Sequence, residues 1–218
     1  MRLVLLFILI SSGFYAQEPH YILNQLETKL DSMESFDANV QLDVDIDFVN
    51  MPTKKAVIHF KKGEKIKIEA DNFLMVPKRG LDFTMKELLR YPYLGLNTGK
   101  DTINGVEYTE IKVIPESSKA DFSIATLMID TERIRVMRSE ISTKKNGVFI
   151  INYTYDPKES EILPARIEVE LAISDVKIPL RFLAKEVEID KTQLKEEDQT
   201  GFIYIQLSNY NINWLSKK

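Results

Sequence analysis

The stretch Asn39-Val-Gln-Leu-Asp-Val-Asp-Ile-Asp-Phe48 decides the fold class of this 218-residue chain. Apolar and polar side chains alternate along it, which is typical of a β-strand with one buried and one solvated face. The apolar face carries Val40, Leu42, Val44, Ile46 and Phe48. The other face carries Asp43, Asp45 and Asp47, which we interpret as a solvated acidic face because a calcium loop would also need a Gly and a Glu. The stretch therefore predicts a half-buried strand.

An amphipathic helix precedes this strand. Four apolar residues recur with helical spacing, with polar residues between them: Ile22, Leu26, Leu30 and Met33. Pro19 fits the first turn of such a helix, because a backbone N–H at that position has no partner within the helix. We expect this helix to bury one face against the sheet.

The first 16 residues have the composition of a secretory signal peptide. Arg2 gives a positive start, residues 3–10 are apolar, and small residues lead to a cleavage site after Ala16. The apolar run is too short to span a bilayer. We expect removal of residues 1–16, leaving 17–218 as a single domain in the periplasm, with secretion as the alternative. The chain has no cysteine, which excludes disulfides and a lipid-modified cysteine.

The hairpin after the first strand can be given a register from its apolar residues. A three-residue loop at 62–64 sets Ile58 opposite Ile68 and Phe60 opposite Ile66. A two-residue loop would set Ile58 and Phe60 against lysines. We therefore predict the longer loop.

Seven further segments are predicted as strands: 106–114, 122–129, 133–143, 148–155, 165–173, 177–189 and 202–212. Asn146-Gly147 predicts a two-residue turn that pairs Ser142 with Ile151 and Glu140 with Tyr153. Neither face of that hairpin is entirely polar. We expect a sheet that is covered on both sides, or one that is covered on one side and opens onto an apolar cavity on the other.

One segment interrupts the strand pattern. Residues 71–83 are followed by a short predicted helix with Thr84 as N-cap and Glu87 at the third helical position. Four consecutive apolar residues precede Pro77: Phe73, Leu74, Met75 and Val76. Two interpretations remain open, a plug that closes one end of the sheet and a lid over an apolar pocket. In the second, Lys78 and Arg79 contact a headgroup or an acidic partner; the alternative for them is a solvated turn.

Side chains typical of catalysis or metal binding are few. The chain has two histidines, His20 in the predicted helix and His59 on the outward face of the hairpin, and we interpret both as structural. It has no G-x-S-x-G motif. Residues 95–101 lack the spacing and the Ser or Thr of a phosphate loop. Composition alone does not exclude a glycosidase pair of carboxylates. We nevertheless expect no enzyme, no cofactor and no metal site, and the net charge of −4 with interspersed signs indicates no nucleic-acid partner.

The order of these elements resembles the lipoprotein-carrier fold of the bacterial envelope, found in the outer-membrane lipoprotein-sorting proteins. The most similar segments are 26–48, 56–70 and the pattern Leu127-Met-Ile-Asp130 with Arg133-Ile-Arg-Val136 and Tyr155-Asp-Pro157. Residues 77–81 with 84–89 resemble uncharacterised envelope proteins of Bacteroidota. The resemblance implies an α+β fold: a strongly curved antiparallel sheet, an incomplete barrel of about 10–11 strands, that wraps an N-terminal helix and a short helical insertion.

Two functions are compatible with this sequence. The first is a soluble, monomeric periplasmic carrier or chaperone that binds acyl chains, those of a lipoprotein or another lipid, and exchanges them with delivery partners at the inner or outer membrane. The ligand would contact the apolar face of the first strand and the hairpin: Val40, Leu42, Val44, Ile46, Phe48, Ile58, Phe60, Ile66 and Ile68. The second is a secreted interaction module with a filled core that binds protein or glycan through its surface. Alternating apolar residues fit both, because they either fill or line a concave sheet.

Overall fold

The computed structural model describes residues 19–70, 88–145, 147–172, 188–189 and 200–215. These residues form one helix and twelve strands. The elements are α1 (Pro19–Asp31), β1 (Met33–Asp45), β2 (Val49–Asn50), β3 (Lys54–Lys61), β4 (Lys67–Glu69), β5 (Tyr93–Ile103), β6 (Val106–Pro115), β7 (Phe122–Asp130), β8 (Arg135–Thr143), β9 (Val148–Thr154), β10 (Arg166–Ala172), β11 (Glu188–Ile189) and β12 (Thr200–Trp214).

Ten of these strands form one antiparallel sheet in the order β4-β3-β1-β12-β10-β9-β8-β7-β6-β5, and β2 pairs separately with β11. Within the described ranges the outermost strands, β4 and β5, do not pair with each other, so the sheet is open. This confirms the predicted fold class. The predicted lid and the helix at 84–89 lie outside the described residues, apart from Leu88 and Leu89, which are buried.

The sheet curves around α1. This helix contacts both β1 and β5, which lie seven strand positions apart. In a flat sheet seven spacings would separate these strands by about 34 Å. A 13-residue helix is only about 20 Å long, so it reaches both strands because the sheet bends toward it.

The first hairpin has the predicted register. Ile58 lies opposite Ile68, and the flanking pairs Val57–Glu69 and His59–Lys67 continue it. β1 begins at Met33 rather than at residue 39, so Met33 lies on the sheet and not on the helix. The alternation in β1 therefore continues back through Phe36, which lies opposite Phe60 of β3.

The predicted register of the second hairpin is wrong by three residues. Ile151 lies opposite Ser139, not Ser142, and Phe149 lies opposite Ile141. Thr143 N–H donates to the carbonyl of Gly147 at 2.9 Å, so three residues separate the bonded pair where a two-residue turn was predicted. Gly147 has a left-handed backbone with φ of 73°. The observed register places Ile141 and Ile151 together on the buried face, where both belong by their hydrophobicity.

Two strands were missed, the two-residue β2 and the edge strand β5. β5 forms an edge of the sheet, and most of its side chains are exposed. Its polar and glycine-containing centre gives little strand signal, although Leu94 and Leu96 alternate. Of the predicted strand at 177–189, the structure describes only residues 188 and 189.

The core lies between α1 and the inner face of the sheet. α1 contributes Ile22, Leu23 and Leu26, all at most 3% exposed. Gly95 of β5 allows this approach, because a Cβ at that position would lie 3.2 Å from the Cβ of Pro19. None of the helices in the described part of the chain is long and apolar enough to cross a membrane.

Candidate functional site

The inner face of the sheet borders a partly open cavity of about 200 Å³. It lies under the C-terminal half of α1, where β1 begins and β12 ends. Its wall is mainly aliphatic, with one phenylalanine and one proline: Leu26, Leu30, Phe36, Ile58, Ile66, Ile134, Val136, Ile151, Ile162, Leu163, Pro164, Ile167, Val169, Ile205 and Leu207. The remaining wall residues are three tyrosines, one lysine and one arginine: Tyr153, Tyr155, Tyr210, Lys29 and Arg135. The cavity is therefore an apolar site with two cationic side chains.

The connection between β9 and β10 supplies part of this wall. Asp156 begins it with a turn in which its side-chain Oδ1 accepts the N–H of Lys158 at 2.9 Å. Ser160 is buried, and its Oγ accepts the N–H groups of Ile162 and Leu163 at 3.1 and 2.9 Å. These bonds satisfy the backbone of the loop, so its apolar side chains contact the cavity instead of solvent.

The three tyrosine hydroxyls of the wall have partners within the protein. Tyr155 OH donates to the carbonyl of Val136 at 2.8 Å, and Tyr210 OH donates to that of Pro164 at 2.8 Å. Tyr153 OH and Ser139 Oγ lie 3.3 Å apart. Burial raises the pKa of each phenol above its ordinary value, so all three are neutral at physiological pH. With their polar ends satisfied, these residues add aromatic surface to the cavity.

Lys29 and Arg135 are the two cationic side chains of the wall. Lys29 Nζ donates to the carbonyl of Arg133. Arg135 Nε donates to Oδ2 of Asp130 at 3.3 Å, and its guanidinium lies 4.6 Å from the centre of the Tyr155 ring. Burial, followed by the charge of Arg135, lowers the pKa of Lys29. The positive charges therefore lie at one side of an otherwise uncharged wall.

Asp130 fixes the positions of Arg133 and Arg135 by accepting hydrogen bonds from both. Its carboxylate is buried and accepts the backbone N–H of Arg133 at 3.0 Å and the Arg133 guanidinium at 3.3 Å. Burial alone would raise the pKa of Asp130, but the hydrogen bonds from Arg133 and the charges of both arginines outweigh it, and the pKa is lowered. Asp130 is thus ionised and is already shared between two arginines.

Two of the nine predicted ligand-binding residues, Ile58 and Ile66, line the cavity. Three others are buried in the adjacent core: Leu42, Ile46 and Phe48. Another three are partly buried against that core: Val40, Val44 and Ile68. Phe60 is half-buried, with its ring 5.2 Å from that of Phe36. The predicted lid residues, Phe73 to Val76, and the predicted headgroup contacts, Lys78 and Arg79, lie outside the described residues.

Most of the cavity wall was missed by the sequence analysis. The inner residues of β10 and β12, such as Ile167, Ile205 and Leu207, are in strands that were predicted, and their alternation was visible. Nothing in that alternation indicates which inner residues face a cavity. The contribution of residues 162–164 depends on the Ser160 turn, and that of Lys29 on the direction of α1.

Comparison with known proteins gives a match of structure without a match of sequence. No family model and no curated protein sequence matches this chain. A LolA superfamily protein from Nitrosomonas europaea has a TM-score of 0.57 and 12% identity, over 91% of this chain and 94% of that one. A DUF1329 family protein from Desulfovibrio piger has a TM-score of 0.57 and 11% identity, over 89% and 92%. This chain has the LolA-like fold.

A third solved structure agrees with this assignment. It is a Vibrio parahaemolyticus domain described as an outer membrane lipoprotein-sorting protein, with a TM-score of 0.52 and 6% identity over 88% of this chain and 91% of that one. The resemblance inferred from the sequence is thus confirmed for the fold. At these identities the likeness extends to the fold alone. The similarity to Bacteroidota envelope proteins stays a prediction.

Proposed function

We propose that this LolA-like protein is a non-enzymatic envelope carrier that binds acyl chains, those of lipoproteins, between α1 and the concave face of the sheet. The observation that carries the proposal is the cavity of about 200 Å³ with its aliphatic and aromatic wall. An apolar void of about 150 Å³ is already large enough to bind benzene. An acyl segment is a chemically matched occupant, because it offers only methylene groups to such a wall.

The energy available suits a reversible carrier. Each methylene transferred from water into an apolar site contributes about 0.8 kcal/mol. Six to eight methylenes would give about 5 to 6 kcal/mol before the cost of association is subtracted. Even before that subtraction, this gain corresponds to a dissociation constant of about 0.04 to 0.2 mM, so the ligand would be released without covalent chemistry.

The site of action follows from the N-terminal sequence. We propose that residues 1–16 direct export and are removed, and that 17–218 acts as a monomeric domain in the periplasm. The fold supports this placement because two solved structures that share it are named as a LolA superfamily protein and a lipoprotein-sorting domain. Delivery and acceptor partners at the two membranes are part of the same proposal.

A titration with a fluorescent fatty-acyl probe tests the proposal. We expect saturable binding with one site per chain. Ile167→Trp should fill the cavity and weaken binding at least tenfold, because Ile167 is part of the wall. Leu96→Trp is the matched control, since Leu96 is 41% exposed on β5, outside the wall. Absence of saturable binding, or equal loss in both variants, would contradict the carrier function.

The same assay tests the lid. We propose that Phe73, Leu74, Met75 and Val76 cover the bound chain, with Lys78 and Arg79 near its headgroup. A variant with Leu74→Asp and Met75→Asp should bind the probe more weakly and release it faster in a stopped-flow experiment. If this variant remains folded and binds as the wild type does, the lid assignment is wrong while the cavity assignment stands.

A surface-binding module is the second candidate function. The observation that favours it is the edge strand β5, where Leu94 and Leu96 are 47% and 41% exposed. Within the described residues β5 pairs on one side only, and exposed apolar residues on such an edge are suited to contact with another protein. This candidate predicts that Leu94→Glu abolishes partner capture from an envelope extract while acyl binding is unchanged.

A further inference from the structure

The two cations of the cavity wall are not neutralised by the carboxylates around them. The buried carboxylate of Asp130 already serves Arg133 and Arg135. Within the described part of the chain Lys29 forms no ion pair, and Arg135 has one hydrogen-bond acceptor, Asp130 Oδ2, which takes its Nε–H. Of the two carboxylates that attract Lys29 electrostatically, Glu161 has the larger effect and is exposed, and Asp130 has the smaller effect. The group therefore has an excess of positive charge at the wall of an apolar cavity.

Both cations are held in place by contacts that, among the described residues, leave donors available. The Arg135 guanidinium lies against the Tyr155 ring, 4.6 Å from its centre, and the bond to Asp130 uses Nε only. Its two terminal nitrogens have the geometry that binds a carboxylate or phosphate through paired hydrogen bonds. Lys29 uses one of its three N–H donors on the Arg133 carbonyl. Two oriented cations with free donors are an arrangement suited to an oxyanion.

We propose that the cavity recognises a single-chain amphiphile with an anionic head, a carboxylate or a phosphate, placed between Lys29 and Arg135 while the chain occupies the apolar wall. This inference rests on the proposed acyl-binding function, and it names a single-chain anionic amphiphile as the ligand in place of a lipoprotein. It also moves the head contact from Lys78 and Arg79 to α1 and β8.

The size of the cavity favours one chain. About 200 Å³ is only moderately larger than the void of about 150 Å³ that holds one benzene molecule. One acyl segment fits such a space. A fatty acid and a lysophospholipid share the required chemistry, which is one chain joined to one anionic head.

Calorimetric titration with three amphiphiles of equal chain length tests the inference. The ligands are dodecanoate, dodecyl phosphate and the neutral dodecanol, each below its aggregation concentration. We expect at least one of the anions to bind about tenfold or more tightly than dodecanol, a difference of about 1.4 kcal/mol. Higher ionic strength should weaken binding of the anion and leave dodecanol unchanged, because salt screens the charges of the site. The tighter of the two anions identifies the head.

Variants locate the head. Lys29→Met keeps the aliphatic stem and should remove most of the preference for the anion, while Lys29→Arg should retain it. Lys100→Met is the matched control, because Lys100 lies on β5 away from the cavity and should have no effect. Equal affinity for dodecanol and both anions, or an unchanged preference in Lys29→Met, overturns the anionic head while acyl binding stands. If none of the three ligands binds, the proposed function and this inference are overturned together.

Discussion

The inner face of the sheet has two halves that use the same residue types and pack differently. In the filled half, formed by β6, β7 and the C-terminal part of β8, Ile111, Leu127 and Ile141 have no exposed surface. In the open half, on β10 and β12, Val169 and Leu207 retain 7% and 8% of theirs. α1 crosses both halves, with Leu23 against Gly95 near the filled half and its C-terminal half over the cavity. The position of the cavity therefore depends on how α1 packs over the strands and not on the sequence pattern of the strands themselves.

The largest expected effect is a difference in the cost of truncation between the halves. Leu127→Ala in the filled half should lower the free energy of unfolding by about 4 to 5 kcal/mol, because it creates a new void in a close-packed region. Leu207→Ala in the open half should cost about 2 to 3 kcal/mol, because the removed atoms already border a void. Urea unfolding monitored by circular dichroism measures both. Equal losses would show that the two halves are packed alike.

Gly95 tests how α1 is held against the filled half. Gly95→Val should lower the free energy of unfolding by about 1 to 3 kcal/mol, since its side chain would clash with Pro19 and Leu23. Leu96→Val, at the next and exposed position, is the control and should change stability little. If Gly95→Val is as stable as the control, the close approach of helix and strand does not constrain the fold.

Ser139 and Tyr153 lie where the two halves meet. Tyr153→Phe should cost about 1 to 2 kcal/mol, because it leaves the buried Ser139 hydroxyl without its partner. The double variant with Ser139→Ala should recover part of that loss, since neither polar group then remains unpaired. A double-mutant cycle from thermal or urea unfolding measures this coupling. Additive losses would show that the two hydroxyls do not form a bond in solution.

The smallest effect concerns His59 on the outer face of β3. His59 Nδ1 lies 2.6 Å from Oδ1 of Asp37, and this hydrogen bond raises the pKa of His59. A histidine with a raised folded-state pKa contributes stability below its unfolded pKa of about 6.5, and loses it as the pH rises through the folded-state pKa. Asp37→Asn should shift the pKa of His59 downward in an NMR titration. Glu69→Gln, at 3.7 Å from Nε2, should shift it less.

The parts of the fold that follow from local alternation were predictable. The 39–48 stretch and the Ile58–Ile68 pairing indicate their own register, because a slip of one residue would expose the apolar set. The turn at Gly147 was not predictable from Asn-Gly alone, since a glycine with a left-handed backbone occurs in both two-residue and three-residue connections. β5 was missed because an exposed edge strand has no apolar face to reveal it.

The candidate site was less predictable than the fold. Ile58 and Ile66 were identified because their hairpin has a clear pattern. Phe36 was missed because β1 begins six residues earlier than the predicted strand, at Met33 rather than at residue 39. The cationic pair brings together Lys29 and Arg135, which are far apart in sequence, and only the curvature of the sheet around α1 places both on one wall.

Methyl NMR of the protein titrated with dodecanoate tests the central claim most directly, because each half of the inner face carries its own probes. The account predicts saturable shift changes for the cavity methyls of Ile58, Ile167 and Leu207, with those of Ile111, Leu127 and Ile141 unchanged. Changes confined to the exposed methyls of Leu94 and Leu96, or equal changes in both halves, would contradict a chain-binding cavity in the open half.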